Sequence, residues 1–141
     1  MKTQDVIELF QKYVIGNYNR NPICFIRGEG VYIWDLEGRR YLDLFPGWAT
    51  TTLGHCHPRV VAAIKEQAGK LIHVDNTFYM LPQGRLAQLI SERSFGGKCF
   101  FCNSGAEANE GAFKLARKYG KLHRDGAYEI ISATSSFHGR T

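Results

Sequence analysis

The sequence has no apolar run near the ~20 residues that a membrane helix requires. Its start, Met1-Lys-Thr-Gln-Asp5, leads into an amphipathic segment without the apolar centre of a signal peptide. It has no Lys/Arg block of five or more. The net charge of +5 comes from 18 basic and 13 acidic residues that are interleaved, which reads as a solvated surface rather than a nucleic-acid footprint. A cytoplasmic protein with neither a membrane nor a nucleic-acid partner is the expectation. Internal repeats and low-complexity linkers are absent too. Of the four cysteines, Cys99 and Cys102 have the spacing of a redox or zinc pair, but their apolar filler predicts a strand, on which residues three apart face opposite ways. His55-Cys56-His57 could add ligands, yet a second pair at zinc spacing is missing. Structural thiols and no metal site are expected.

The residues present are enough for one core, with 44% hydrophobic content over 141 residues. Thr3 is predicted to cap a helix through about Ile15, with Val6, Ile7, Phe10 and Val14 on one face and Gly16 as the stop. From Phe25 to Phe45, short strands punctuated by Gly28, Gly30 and Gly38 predict an antiparallel meander. Pro58 suits the first turn of a helix to about Leu71, and Pro82 opens another through about Arg93, with Leu86, Leu89 and Ile90 inward. A strand, helix and strand follow over 98–133. The class is therefore α/β.

Within that last run, Asn103-Ser104-Gly105-Ala106 forms a small-residue turn into a helix. Backbone N–H groups at a helix N-terminus attract anions, and Gly105 has no Cβ to hold a phosphate away. The same turn reads on its local pattern as a plain helix start too, since many such turns bind nothing, with Ser104 as cap and Glu107 complementing the dipole. After the apolar run Tyr128–Ala133 comes Phe137-His-Gly-Arg-Thr141. Phe137 is either a core residue or an aromatic platform. Arg140 is either a surface charge or a planar fork for a carboxylate. His138 reads as a loop histidine, because nothing near it in sequence orients it as a base.

Together, Asn103-Ser-Gly-Ala-Glu-Ala-Asn-Glu110 and Phe137-His-Gly-Arg-Thr141 resemble the class III aminotransferases that use pyridoxal 5'-phosphate, and within them the chain looks like the acetylornithine aminotransferases. Arg27-Gly-Glu-Gly30, Trp34-Asp-Leu-Glu-Gly38, Tyr41-Leu-Asp43 and Leu53-Gly-His-Cys-His-Pro58 match the family's N-terminal pattern in order, so the resemblance covers nearly the whole chain. It implies the N-terminal part of a fold-type-I transferase, incomplete at the C-terminus. On this reading, residues 1–55 form a helix-and-meander segment and residues 56–141 begin the large, mainly parallel-sheet domain. A sheet begun there would lack most of its strands and carry an uncovered edge, making the isolated piece poorly soluble.

By the same resemblance, Ser104, Gly105 and Ala106 bind the cofactor phosphate, Phe137 lies against the pyridine ring, and Arg140 grips the substrate's α-carboxylate. Residues 47–53 line the substrate entrance, with Trp48 and Thr50 as candidates, and Tyr18 could also reach a carboxylate. The implied reaction is transamination of N-acetylornithine or a similar ω-amino acid with 2-oxoglutarate, in arginine biosynthesis, by a homodimer. Ornithine, 4-aminobutyrate and succinylornithine aminotransferases and a semialdehyde aminomutase share the pattern. No lysine of the chain matches the family's Schiff-base position, so no catalytic residue is assigned and the chain alone is expected to be inactive. From a different class, a non-catalytic phosphate-binding or assembly module remains an alternative.

Overall fold

The computed structural model describes residues 1–45 and 47–141. Its elements in chain order are α1 (Thr3–Tyr13), β1 (Phe25–Glu29), β2 (Tyr32–Asp35), β3 (Arg40–Leu42), α2 (Pro58–Ala68), α3 (Leu81–Glu92) and α4 (Gly105–His123). They fall into two compact units, Met1–Val74 and Asp75–Thr141.

The first unit is built on the expected meander. β1 pairs antiparallel with β2 (Glu29 opposite Tyr32), and β2 with β3 (Ile33 opposite Tyr41), in the order β1-β2-β3. Gly30, at φ +55, makes the tight connection between β1 and β2 that a side chain would oppose. Arg27 lies over the Trp34 ring and Arg40 over Tyr32, so cations cap both aromatic residues of β2. The hub is polar. Asp35 is fully buried and accepts from the Arg39 backbone N–H (2.8 Å), Arg39 Nε (2.7 Å) and the Tyr41 hydroxyl (2.7 Å). Burial pushes the Asp35 carboxyl up, but the Tyr41 and Arg39 hydrogen bonds outweigh it and hold the pKa below its ordinary value.

Helix α1 is tied to the meander differently from the sequence expectation. Thr3 is its first residue rather than its cap, and donates its N–H (3.0 Å) and its hydroxyl (2.8 Å) to Glu37 in the β2–β3 connection. A bidentate carboxylate outcompetes local capping here, and these hydrogen bonds lower the Glu37 pKa. The helix stops at Tyr13, before Gly16, with Val14 already extended. Its apolar face, Val6, Ile7, Phe10 and Val14, looks into a groove of about 690 Å3 whose other wall includes Tyr18, Pro22 and Phe25.

In the second unit, α3 and α4 start where Pro82 and Ser104 predict. The strands expected at 98–102 and 128–133 do not form: neither segment carries a ladder among the described residues. A parallel strand exists only by pairing with a neighbour delivered by a crossover, and no such neighbour is present here for these segments. They lie along α4 instead. Phe100 packs on Gly111, Arg117 Nε donates to the Tyr128 carbonyl (3.1 Å), and Gly120 is buried against the Ala127 carbonyl, so close that a Cβ would stand 2.0 Å from its oxygen. Leu86, Leu89 and Ile90, expected inward, remain 45–48% exposed, and no apolar side chain among the described residues is fully buried. The expected inward packing of these residues is therefore not seen in this unit. No helix among the described residues is long and apolar enough to cross a membrane.

Candidate functional site

At the start of α4 the local sequence sets the geometry. Ser104 is the N-cap, in extended conformation, and its Oγ accepts from Glu107 N–H at 3.2 Å. Glu107 reaches back to accept from Asn103 N–H at 2.6 Å. Ser104 and Glu107 thus stabilise the turn from both ends, and Glu107 is committed to the helix. The N–H groups of Gly105 and Ala106 have no partner among the described residues, as the first turn of any helix dictates. A Cβ built on Gly105 would meet nothing within 4 Å, so the space beside Gly105 is open. The dipole adds partial positive charge at the same point.

The second motif folds onto the first. Gly139, at φ +112, presses so close to α4 that a Cβ there would lie 2.6 Å from Ala106 Cβ and 2.8 Å from its Cα. The His138 ring sits 6.1 Å from that of Phe113, anchoring the loop one step further along the helix. Phe137 is left 76% exposed beside the helix start, with the Arg140 guanidinium 5.9 Å from its ring centroid. Ser104, Gly105, Ala106, Phe137 and Arg140 therefore belong to one neighbourhood within one unit. Sequence reasoning missed Gly139. Its signal was a glycine between two bulky polar residues, in a loop that has to approach a helix backbone.

The thiols make no cluster: Cys99 Sγ donates to the Ala87 carbonyl (3.7 Å) and Cys102 Sγ to that of Ser104 (3.4 Å), and all four cysteines are free. Among the described residues, no three His, Cys, Asp or Glu side chains converge as metal ligands do.

In the first unit, Trp48 is 88% exposed and its ring meets that of Phe45 edge-on at 5.5 Å. Thr50 Oγ1 donates to the Gly47 carbonyl at 2.7 Å. Tyr18 lines the groove beside α1. At the base of this loop Asp43 and His55 meet at 2.6 Å, a pair no local pattern announced, since the two lie twelve residues apart. The His55 hydrogen bond, together with the Phe45 N–H, lowers the Asp43 pKa.

The family model for class-III aminotransferases matches residues 14–141. The chain belongs to that family. It is 58% identical over 132 residues to the acetylornithine aminotransferase of Caldanaerobacter subterraneus subsp. tengcongensis, a match spanning 93% of this chain and 34% of the relative. Among solved structures, the acetylornithine aminotransferase of Elizabethkingia anophelis superposes with a TM-score of 0.84 at 39% identity, over 88% of this chain and 32% of that one. The ornithine aminotransferase of Toxoplasma gondii, whose active site shows partial occupancy of PLP, gives 0.87 at 30% identity, over 99% of this chain and 34% of that one. The chain thus spans about a third of the length of these relatives, and its fold is that of the N-terminal part of a class-III aminotransferase.

Proposed function

We propose that residues 1–141 serve as the N-terminal part of a PLP-dependent aminotransferase acting on N-acetylornithine or a similar ω-amino acid, with 2-oxoglutarate as amino acceptor. One observation carries the reading: Gly139 seats the Phe137–Arg140 loop directly on Ala106, so an anion-binding helix start and an aromatic–guanidinium pair become one site. Chains serving only as spacers have no need of that approach.

The residues fit the cofactor by their donor chemistry. The unpaired N–H groups of Gly105 and Ala106 and the Ser104 hydroxyl lie at the positive end of α4, with open space beside Gly105, which suits a phosphate. Phe137 offers an exposed flat ring that would cover one face of an aromatic heterocycle and exclude water from it. Arg140 would hold a substrate carboxylate through two parallel charge-assisted hydrogen bonds, fixing the amino group's approach. When bound, the cofactor supplies an electron sink for the carbanion. None of the chain's lysines is assigned to anchor it. Residues 1–55 and 56–141 would then be the entrance segment and the beginning of the cofactor domain of a cytoplasmic homodimer in arginine biosynthesis.

The test is the full-length enzyme carrying this sequence, assayed for 2-oxoglutarate-dependent turnover of N-acetylornithine beside ornithine, 4-aminobutyrate and succinylornithine. Preference for N-acetylornithine supports the reading, and preference for another donor moves it within the family. Absence of both turnover and PLP-dependent absorbance leaves the non-catalytic assembly module.

A further inference from the structure

The connection between β3 and α2 is strained in an unusual way. Gly47, Trp48 and Ala49 follow one another at φ +57, +56 and +68, and Gly54 and Cys56 stand at +84 and +51. Trp48, Ala49 and Cys56 carry a Cβ, for which the left-handed region is costly. Packing does not compensate: Trp48 is 88% exposed and touches the Phe45 ring at its edge. Such a conformation persists only where surrounding contacts over-determine it.

Inside the loop the Thr50 N–H (3.2 Å) and Oγ1 (2.7 Å) both donate to the Gly47 carbonyl, and the contacts that tie the loop to the meander sit at its base. Asp43 N–H donates to the Val31 carbonyl (2.8 Å), its Oδ1 accepts from Phe45 N–H (2.9 Å), and its Oδ2 meets His55 Nε2 (2.6 Å). His55 exchanges both backbone hydrogen bonds with Gly30, at 2.7 and 3.0 Å. Its ring lies on Gly28, where a Cβ would stand 2.7 Å from the histidine Cγ. With side chains only 16% and 24% exposed, the Asp43–His55 pair is partly shielded from solvent, which strengthens it. One side-chain pair therefore joins the two ends of the 44–54 loop to the meander and to each other.

We propose that Asp43 and His55 form a clasp that holds the 47–54 loop in its strained conformation so that Trp48 and Thr50 meet the amino substrate. His55 is a positioning residue, acting through the loop rather than on the reacting atoms. This rests on the reading of that loop as the substrate entrance of an aminotransferase. A connector with no such task would relax to ordinary backbone.

The test uses the full-length enzyme carrying this sequence, with N-acetylornithine as the probe. His55→Leu should raise the KM for the amino donor roughly tenfold, with kcat and PLP affinity nearly unchanged. It should also speed amide exchange across 47–54 by about tenfold or more. His55→Gln, whose side-chain N–H can still reach Asp43, should restore most of both. Faster exchange with an unmoved KM would make the clasp purely architectural and overturn the proposal, as would unchanged exchange. Where His55→Leu does not fold, Asp43→Asn keeps an acceptor oxygen without the charge and should shift KM in the same direction by about threefold; an unmoved KM there overturns the proposal too. Wild-type protein that neither binds PLP nor transaminates removes the parent reading, whereas normal wild-type turnover beside an unaffected His55→Leu removes the clasp alone.

Discussion

Asp35 in the first unit and the start of α4 in the second are both polar centres, and they are opposite in kind. Around Asp35 three protein donors meet the carboxylate, two from Arg39 and one from Tyr41, and the side chain is closed to solvent. At α4, Ser104 and Glu107 settle the helix end between themselves, while the Gly105 and Ala106 N–H groups have no partner among the described residues and the space beside Gly105 is open. A buried acceptor met by protein donors holds a fold together, whereas unpaired donors at a helix start are left for solvent or a ligand. Unpaired donors end every helix start, so what sets this one apart is the Phe137–Arg140 loop that Gly139 seats on it.

The largest effect should come from emptying the saturated centre. Asp35→Ala leaves the Tyr41 hydroxyl and the Arg39 guanidinium without their common acceptor, and should lower the melting temperature of the first unit by on the order of 10 °C. A thermal scan showing no shift would mean the centre is not the keystone of the meander.

On the other side of the comparison, Arg140→Lys in the full-length enzyme keeps charge but loses the planar fork. It should reduce kcat/KM for the amino donor by about 2 to 4 kcal/mol through KM, with PLP affinity nearly unchanged. Equal KM values would make Arg140 a surface charge. Gly139→Ala should cost roughly 2 kcal/mol, because the methyl group meets both Ala106 and an unfavourable φ, and should weaken PLP binding by detaching the loop. Gly105→Val is the sharpest contrast with it. A Cβ there meets no protein atom, so stability should hold while PLP affinity drops roughly tenfold as measured by titration. Stability loss without affinity loss would reverse the assignment.

Acid should separate the units last and least. Asp35, Glu37 and Asp43 in the first unit have folded pKa values below their ordinary ones, so the unfolded chain takes up protons before the folded one does. Their contribution is therefore present above the ordinary carboxylate range near ~4 and is lost as pH falls through the folded values. In the second unit the corresponding group is Asp75, held down by Thr77. Hydrogen exchange at pH 3 against pH 7 should show the meander loosening more than α4. Equal loosening would indicate that the Asp35 and Asp43 networks add nothing the helices lack.

Much of this was legible in advance where one residue decides locally. Pro58, Pro82 and Ser104 mark helix starts, and Gly30 and Gly38 mark the meander's turns. Legibility failed where the partner is remote. Thr3 has the chemistry of a cap but is taken by Glu37, and Asp43 finds His55 across a loop. The apolar runs at 98–102 and 128–133 have strand composition but no strand to pair with among the described residues. At the site, Ser104, Gly105 and Ala106 were visible as a turn chemistry and Phe137 and Arg140 as a residue pair; that Gly139 joins them depends on a backbone approach no local pattern encodes.

The exposed ring of Trp48 has an experimental consequence of its own. The sequence holds two tryptophans, and both lie in the first unit. Trp34 is half-buried under the Arg27 guanidinium at 4.3 Å, whereas Trp48 stands in water on the loop closed by Asp43 and His55. Within residues 1–141, fluorescence excited in the indole band therefore reports on this unit alone. A neutral collisional quencher would silence Trp48 first, leaving the bluer light of Trp34 as the signature of an intact meander, so one spectrum reads loop and scaffold separately in the unlabelled protein.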